Sequence, residues 1–152
     1  MMINFFDILG NKMLIGSLIS WACAQVIKTV IFAIMNKTID FSRLTGDGGM
    51  PSAHSATVTS LATITAFECG LDSALFAIAL ILAIIVMHDA MGVRREAGKH
   101  AKALNELFMM SQEDVDPEQL LKEFLGHTPL QVFFGACLGI FVGCMFSLFV
   151  TL

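Results

Sequence analysis

Six side chains in this sequence are hard to account for as packing: Lys28, His54, Asp89, Arg94, Arg95 and His127. Each is ionisable, and each lies within or at the edge of a strongly apolar segment. An ionisable group inside a membrane segment costs roughly 2.5–3.5 kcal/mol on insertion scales, so such groups tend to mark a pathway or a binding site. Lys28 stands about seven residues from the end of its apolar run. From there a lysine can snorkel to the interface, so a snorkelling cation and a site cation are both open readings. Trp21 and Gln25 precede it at helical spacing and would extend the same amphipathic face.

The segment Gly48-Gly49-Met50-Pro51-Ser52-Ala53-His54 places flexible backbone, then proline, then serine at the mouth of a helix. The unpaired N–H groups and positive dipole end of such a mouth favour a bound anion, phosphate above all. Ser52 can either cap that helix or donate to the anion. His54, in the first turn, would sit beside the anion as an acid or base. Arg94 and Arg95 supply the planar donors that suit bidentate phosphate contact. By contrast Glu96, Lys99, His100, Lys102 and Glu106 read as an exposed helix surface, while Asn105 shares a face with Gly98 and Ala101 and is expected to look inward.

The elements that must position these groups follow from composition. Of 152 residues, 56% are hydrophobic and 14% charged, and the mean hydropathy is +0.76, which sets a membrane as the default solvent. Runs 13–35 and 129–152 each reach the ~20 residues a spanning helix needs. Run 73–87 becomes long enough if Asp72 and His88 lie at the two interfaces. Run 52–67 carries no charge, but seven of its residues are Ser or Thr, which suits a span packed among other helices rather than against lipid. Residues 92–110 have helix-forming composition with too many charges to cross, and are expected at the interface. Residues 1–12 read as a lead-in, 36–50 as a loop, 111–118 as an acidic turn, and 120–125 as a short apolar helix. The expected fold is therefore all-α: one domain over 1–152, a polytopic bundle of about four transmembrane helices plus an interfacial amphipathic helix.

Four spans gather the loop before Pro51, the segment after Met87 and the segment before Pro129 on one membrane face. That face carries Lys37, Arg43, Arg94, Arg95, Lys99, Lys102 and Lys122, against Lys12 alone on the other. The positive-inside rule places it in the cytoplasm of a multi-pass cell-membrane protein, with both termini outside. No secretory signal is apparent. Cys23, Cys69, Cys137 and Cys144 lack metal-ligand spacing and read as small packing residues, so no metal or other cofactor is expected. The formal charge of -4, without a basic stripe, excludes nucleic acid as a partner. A small helical bundle of this kind suits a homodimer.

Two segments carry a resemblance. Pro51-Ser52-Ala53-His54 is similar to the Pro-Ser-Gly-His motif of the type 2 phosphatidic acid phosphatase and vanadium haloperoxidase superfamily. Gly126-His127-Thr128-Pro129-Leu130-Gln131-Val132-Phe133-Phe134-Gly135 looks like its Gly-x-His-x-Pro-x-Asp-Val-x-x-Gly segment. With Asp89-Ala90-Met91-Gly92-Val93-Arg94-Arg95, the whole chain resembles a divergent bacterial and plastid branch. The resemblance implies that His127 attacks phosphorus to form a phosphohistidine and that His54 protonates the leaving oxygen. It further implies that Lys28, with Arg94 or Arg95, holds the equatorial oxygens beside Ser52 and Gly49.

The sequence also departs from that pattern. The Arg-Pro expected after the first-motif lysine is replaced by Met35-Asn36, and Arg94 and Arg95 precede His127 by more than thirty residues rather than six. An inserted helix must therefore fold back to close the site. Gln131 stands where the family has Asp; it can accept from the imidazole and hold its tautomer, but it cannot neutralise an imidazolium. Asp89 and Glu123 are the carboxylates left for that orienting duty. The expected activity is hydrolysis of a lipid phosphate or polyprenyl (pyro)phosphate drawn from the bilayer. The alternative is a lipid-phosphate binding or transport protein using the same cationic pocket without turnover.

Overall fold

The computed structural model describes residues 5–38, 49–111, 120–121 and 126–150. A 3-10 turn at Phe5–Gly10 leads into five α-helices: α1 (Lys12–Asn36), α2 (Ala53–Cys69), α3 (Ala74–Met91), α4 (Val93–Ser111) and α5 (Pro129–Val150). Local chemistry sets their ends. Asn11 caps α1 by accepting from the Leu14 N–H, Ser52 caps α2 by accepting from the Ser55 N–H, and Ser73 caps α3 by accepting from the Phe76 N–H. Each satisfies one of the orphan donors of a first turn. α2 stops at Gly70, whose φ of 86° suits glycine.

α1, the run Ala74–Met110 that opens with α3, and α5 are long and apolar enough to cross a membrane. Their large apolar side chains, such as Val30, Ile78, Ile81, Ile85 and Phe141, point outward, which in a bilayer is the lipid-facing surface. α2, with 17 residues, lies among them and is the most enclosed helix. Its hydroxyls make that enclosure tolerable. Thr57, Thr59, Thr63 and Thr65 each donate to the carbonyl four residues earlier, so few polar groups remain to be satisfied by neighbours. Ser60 donates to the Gly16 carbonyl of α1 at 3.4 Å, and Ser20 of α1 donates back to Ala56 at 3.0 Å.

α2 and α5 run parallel at very close range. Gly135, Gly139 and Gly143 of α5 lie against Ser52–Ser55, Ala56–Thr59 and Ser60–Thr63 respectively, and a Cβ on Gly135 would sit 2.9 Å from the Ser55 Cβ. A glycine every four residues faces one side of a helix and lets two backbones approach, the usual solution where hydrophobicity cannot drive association. α1 runs the opposite way, and Lys12 meets Glu68 at 3.1 Å. The C-terminal end of α1 thereby joins the N-terminal ends of α2 and α5 on the other face.

The expected helices thus appear with ends shifted by a few residues, three of them long and apolar enough to cross a membrane, and the charged segment 92–110 is α4. Its Glu96–Lys99 pair, 2.6 Å apart, holds the Glu96 carboxyl below the ordinary carboxylate range through that hydrogen bond. Lys102 and Glu106 stand 4.0 Å apart beside it. Asn105 does look inward: its amide donates to the Leu121 carbonyl and accepts from the Leu121 N–H, both at 2.9 Å. Leu104, Leu107 and Phe108 are exposed along an adjoining face, the amphipathic pattern of an interfacial helix. Leu120 and Leu121, expected to be helical, are not. The rest of 120–125 and the turn 112–118 lie outside the described residues.

Candidate functional site

The face that gathers the ends of α1, α2, α3 and α5 holds the candidate site. His127 immediately precedes α5 and is 5% exposed. Its backbone N–H donates to the Ala90 carbonyl near the end of α3 at 3.0 Å. Gly126, with φ of 95°, lies so near the start of α4 that a Cβ there would be 2.5 Å from the Arg95 nitrogen and 2.8 Å from the Arg94 carbonyl carbon. Positive φ and this approach both require glycine. The inserted segment therefore does fold back, and α4 begins beside the histidine that follows it by more than thirty residues.

Gln131 fixes the His127 ring. Its Oε1 accepts from the Thr128 N–H at 3.0 Å and lies 3.2 Å from His127 Nδ1. The Thr128 hydroxyl in turn accepts from the Gln131 N–H at 3.3 Å. This is a reciprocal capping box with Pro129 in the first helical position. A backbone N–H can only donate, so the amide atom facing it must be the oxygen, and the imidazole nitrogen against that oxygen must carry a proton. In the neutral ring the lone pair then belongs to Nε2.

His54 lies in the first turn of α2, exposed, with its ring centroid 6.4 Å from that of His127 and the planes tilted by 57°. The first turns of α2 and α5 are joined by the Ser52 N–H, which donates to the Gln131 carbonyl at 3.0 Å. Ser52 is fully buried; its hydroxyl caps α2 and accepts from the Ser55 hydroxyl at 3.0 Å.

Lys28 is 5% exposed on α1. Its stem passes under Gly49, whose φ is 82° and whose added Cβ would stand 3.2 Å from Lys28 Cγ. A cavity of about 290 Å³ opens here, with Lys28, Gly49, Asn36 and Gln131 among its polar lining and Ile31, Phe32, Met35 and Met50 as its apolar wall. Of the two residues read beside Lys28, Gln25 is buried but Trp21 is 42% exposed. The inward line of α1 is Gly16, Ser20, Ala24 and Lys28, one residue every four, and Trp21 falls on its outer side.

Arg94 Nε donates to Asp89 Oδ2 at 2.8 Å, both side chains being about half exposed. Asp89 thus faces the arginine, while Gln131 is the group on the His127 ring. Arg95 and His100 are exposed on α4. Glu123, Arg43 and Lys122 lie outside the described residues. Two contributors were not singled out from the sequence. The Ala90 carbonyl carries no sequence signal, whereas Thr128 does, because Thr-x-x-Gln before an apolar run is the capping-box pattern.

The Divergent PAP2 family model matches residues 9–142. A relative from Bacillus subtilis (strain 168), described as uncharacterized membrane protein YuiD, is 43% identical over 155 residues, covering 94% of this chain and 98% of the relative. No solved structure matches. The chain belongs to the Divergent PAP2 family, and it is a membrane protein.

Proposed function

We propose that this member of the Divergent PAP2 family is an integral membrane phosphatase that hydrolyses a lipid phosphate or polyprenyl (pyro)phosphate through a phosphohistidine on His127. The observation that carries the reading is the His127–Gln131 contact of 3.2 Å, with the His54 ring 6.4 Å from that of His127. His127 Nε2 attacks phosphorus, and the bond from phosphorus to the lipid oxygen breaks. Protonated His54 gives its proton to that oxygen. Water then attacks the phosphohistidine as His54 takes a proton back, releasing inorganic phosphate and restoring both rings. Lys28 and the arginines at the start of α4 serve the charge of the transferring group, which is where most of the work in phosphoryl transfer lies. The apolar wall of the Lys28 cavity favours an amphiphile over a soluble phosphoester, and the charge asymmetry between the faces favours a cytoplasmic site.

One observation favours a second reading. Gln131 occupies the position of the wider superfamily's carboxylate and cannot neutralise an imidazolium, so the same pocket would suit binding or transport of a lipid phosphate without turnover. Phosphate release from phosphatidate, phosphatidylglycerophosphate and undecaprenyl pyrophosphate by the purified protein in detergent separates the two. Release that disappears in His127→Ala supports the enzyme; binding of vanadate with no release supports the carrier.

A further inference from the structure

We infer that Gln131 serves the site through both ends of its amide, with Oε1 orienting His127 while Nε2 donates hydrogen bonds to the anion in the Lys28 cavity. This rests on the phosphate-pocket reading above and extends it. The Thr128 N–H and His127 Nδ1 hold Oε1 at 3.0 and 3.2 Å. The planar amide therefore has one orientation available, because a flip would set Nε2 against a backbone donor. With Oε1 committed to α5 and the ring, Nε2 lies on the opposite side of the amide carbon. Gln131 also lines the cavity shared with Lys28 and Gly49. The amide end that is not held by the capping box is the end left to face that cavity.

The chemistry separates glutamine from the carboxylate that the wider superfamily's pattern has at this place. Aspartate accepts only, and beside a cationic pocket its charge would repel the phosphoryl oxygens even as it strengthened the nucleophile. Glutamine gives up the second effect and replaces repulsion with two N–H donors. Gln131 is thus a binding residue as well as an orienting one. Its contact with an anionic ligand complements Lys28, which approaches the same cavity from α1.

The test is orthovanadate affinity of the purified full-length protein in detergent, measured for the parent and for Lys28→Met, Gln131→Glu, Gln131→Met and, as an exposed control on α4, Lys102→Ala. Gln131→Glu keeps the acceptor for Thr128 and His127, so it preserves the cap while removing the donors and adding charge. Gln131→Met removes the donors and the acceptor together without adding charge, and is read beside Gln131→Glu, in which the acceptor stays. The expected result is a loss of at least ~10-fold for Lys28→Met and Gln131→Met, a larger loss for Gln131→Glu, and no change for Lys102→Ala, with helix content by circular dichroism like the parent's throughout. If Lys28→Met weakens binding while Gln131→Met binds like the parent, Gln131 only caps α5 and orients the ring; the inference falls and the pocket stands. If the parent itself binds no vanadate, the pocket reading falls and takes the inference with it.

Discussion

The Ser52 N–H donates to the Gln131 carbonyl at 3.0 Å, so the first turn of the helix that carries His54 is tied to the first turn of the helix that orients His127. The contact lies at the upper end of a parallel helix pair held close by Gly135, Gly139 and Gly143. The separation of the two histidines is therefore a consequence of backbone packing between α2 and α5, and the predictions below start from that dependence.

A side chain at Gly139 would collide with Thr59 Oγ1 and the Ala56 carbonyl. Gly139→Leu is expected to destabilise the bundle by about 1–3 kcal/mol or more, the range for overpacked cores. It should also separate the two histidines. Thermal unfolding in detergent checks the first effect, and a melt unchanged from the parent's would mean that α2 and α5 do not pack through this glycine.

The arginines should separate by their effect on vanadate affinity. At least one of Arg94→Ala and Arg95→Ala is expected to weaken binding by more than about 1 kcal/mol, since charge-assisted hydrogen bonds carry roughly 1.5–3 kcal/mol. Arg94 is already paired with Asp89 at 2.8 Å, so its charge is partly spent in the absence of ligand. Parent-like affinity in both variants would remove α4 from the site.

Gln131→Asp should raise both kinetic constants, one to the benefit of turnover and the other at the expense of binding. A carboxylate beside His127 stabilises the imidazolium and raises kcat, while the lost amide donors and added negative charge raise KM. A variant with lowered kcat would show that this residue is not the orienter of the nucleophile, and Asp89 or Glu123 would become the group to examine.

Topology follows from charge. In a background lacking Cys23, Cys69, Cys137 and Cys144, a cysteine placed at Asp47 or Gln112 should label from the cytoplasm and one at the C-terminus from outside. The reverse pattern would turn the site face outward and show that anion-binding cations, rather than insertion, account for the Lys and Arg excess.

Much of this architecture was legible because membranes enforce it. The apolar runs named α1, α3 and α5, and the Ser/Thr content of 52–67 announced a helix packed among others, which α2 is. Gly49, His54, His127 and Gln131 could be placed at one end because helix count and alternation determine which loops share a face. Other features depended on approach in space. The polar residues of α1, Ser17, Ser20, Gln25 and Lys28, do mark its buried side, but Trp21 stands one turn from both Ser17 and Gln25, so spacing alone did not show that it is 42% exposed. The return of the chain from α4 to His127 rests on Gly126 meeting the Arg94–Arg95 backbone and on Asn105 pairing with Leu121, contacts between partners that carry no shared spacing. The partner of Asp89 among the two duties open to it was likewise not legible in spacing: it stands against Arg94 at 2.8 Å.

The central claim, that His127 carries a phosphoryl group, is tested most directly by trapping. The purified protein, incubated with radiolabelled phosphatidate or undecaprenyl pyrophosphate and quenched in alkali, should retain an acid-labile, base-stable label in the parent that is absent from His127→Ala. His54→Ala should lose most turnover on the substrate with the poorest leaving group, because a charged leaving oxygen needs that acid. Absence of both label and phosphate release in the parent and in Gln131→Asp, with vanadate still bound, would contradict the catalytic account and leave a protein that binds lipid phosphates without cleaving them.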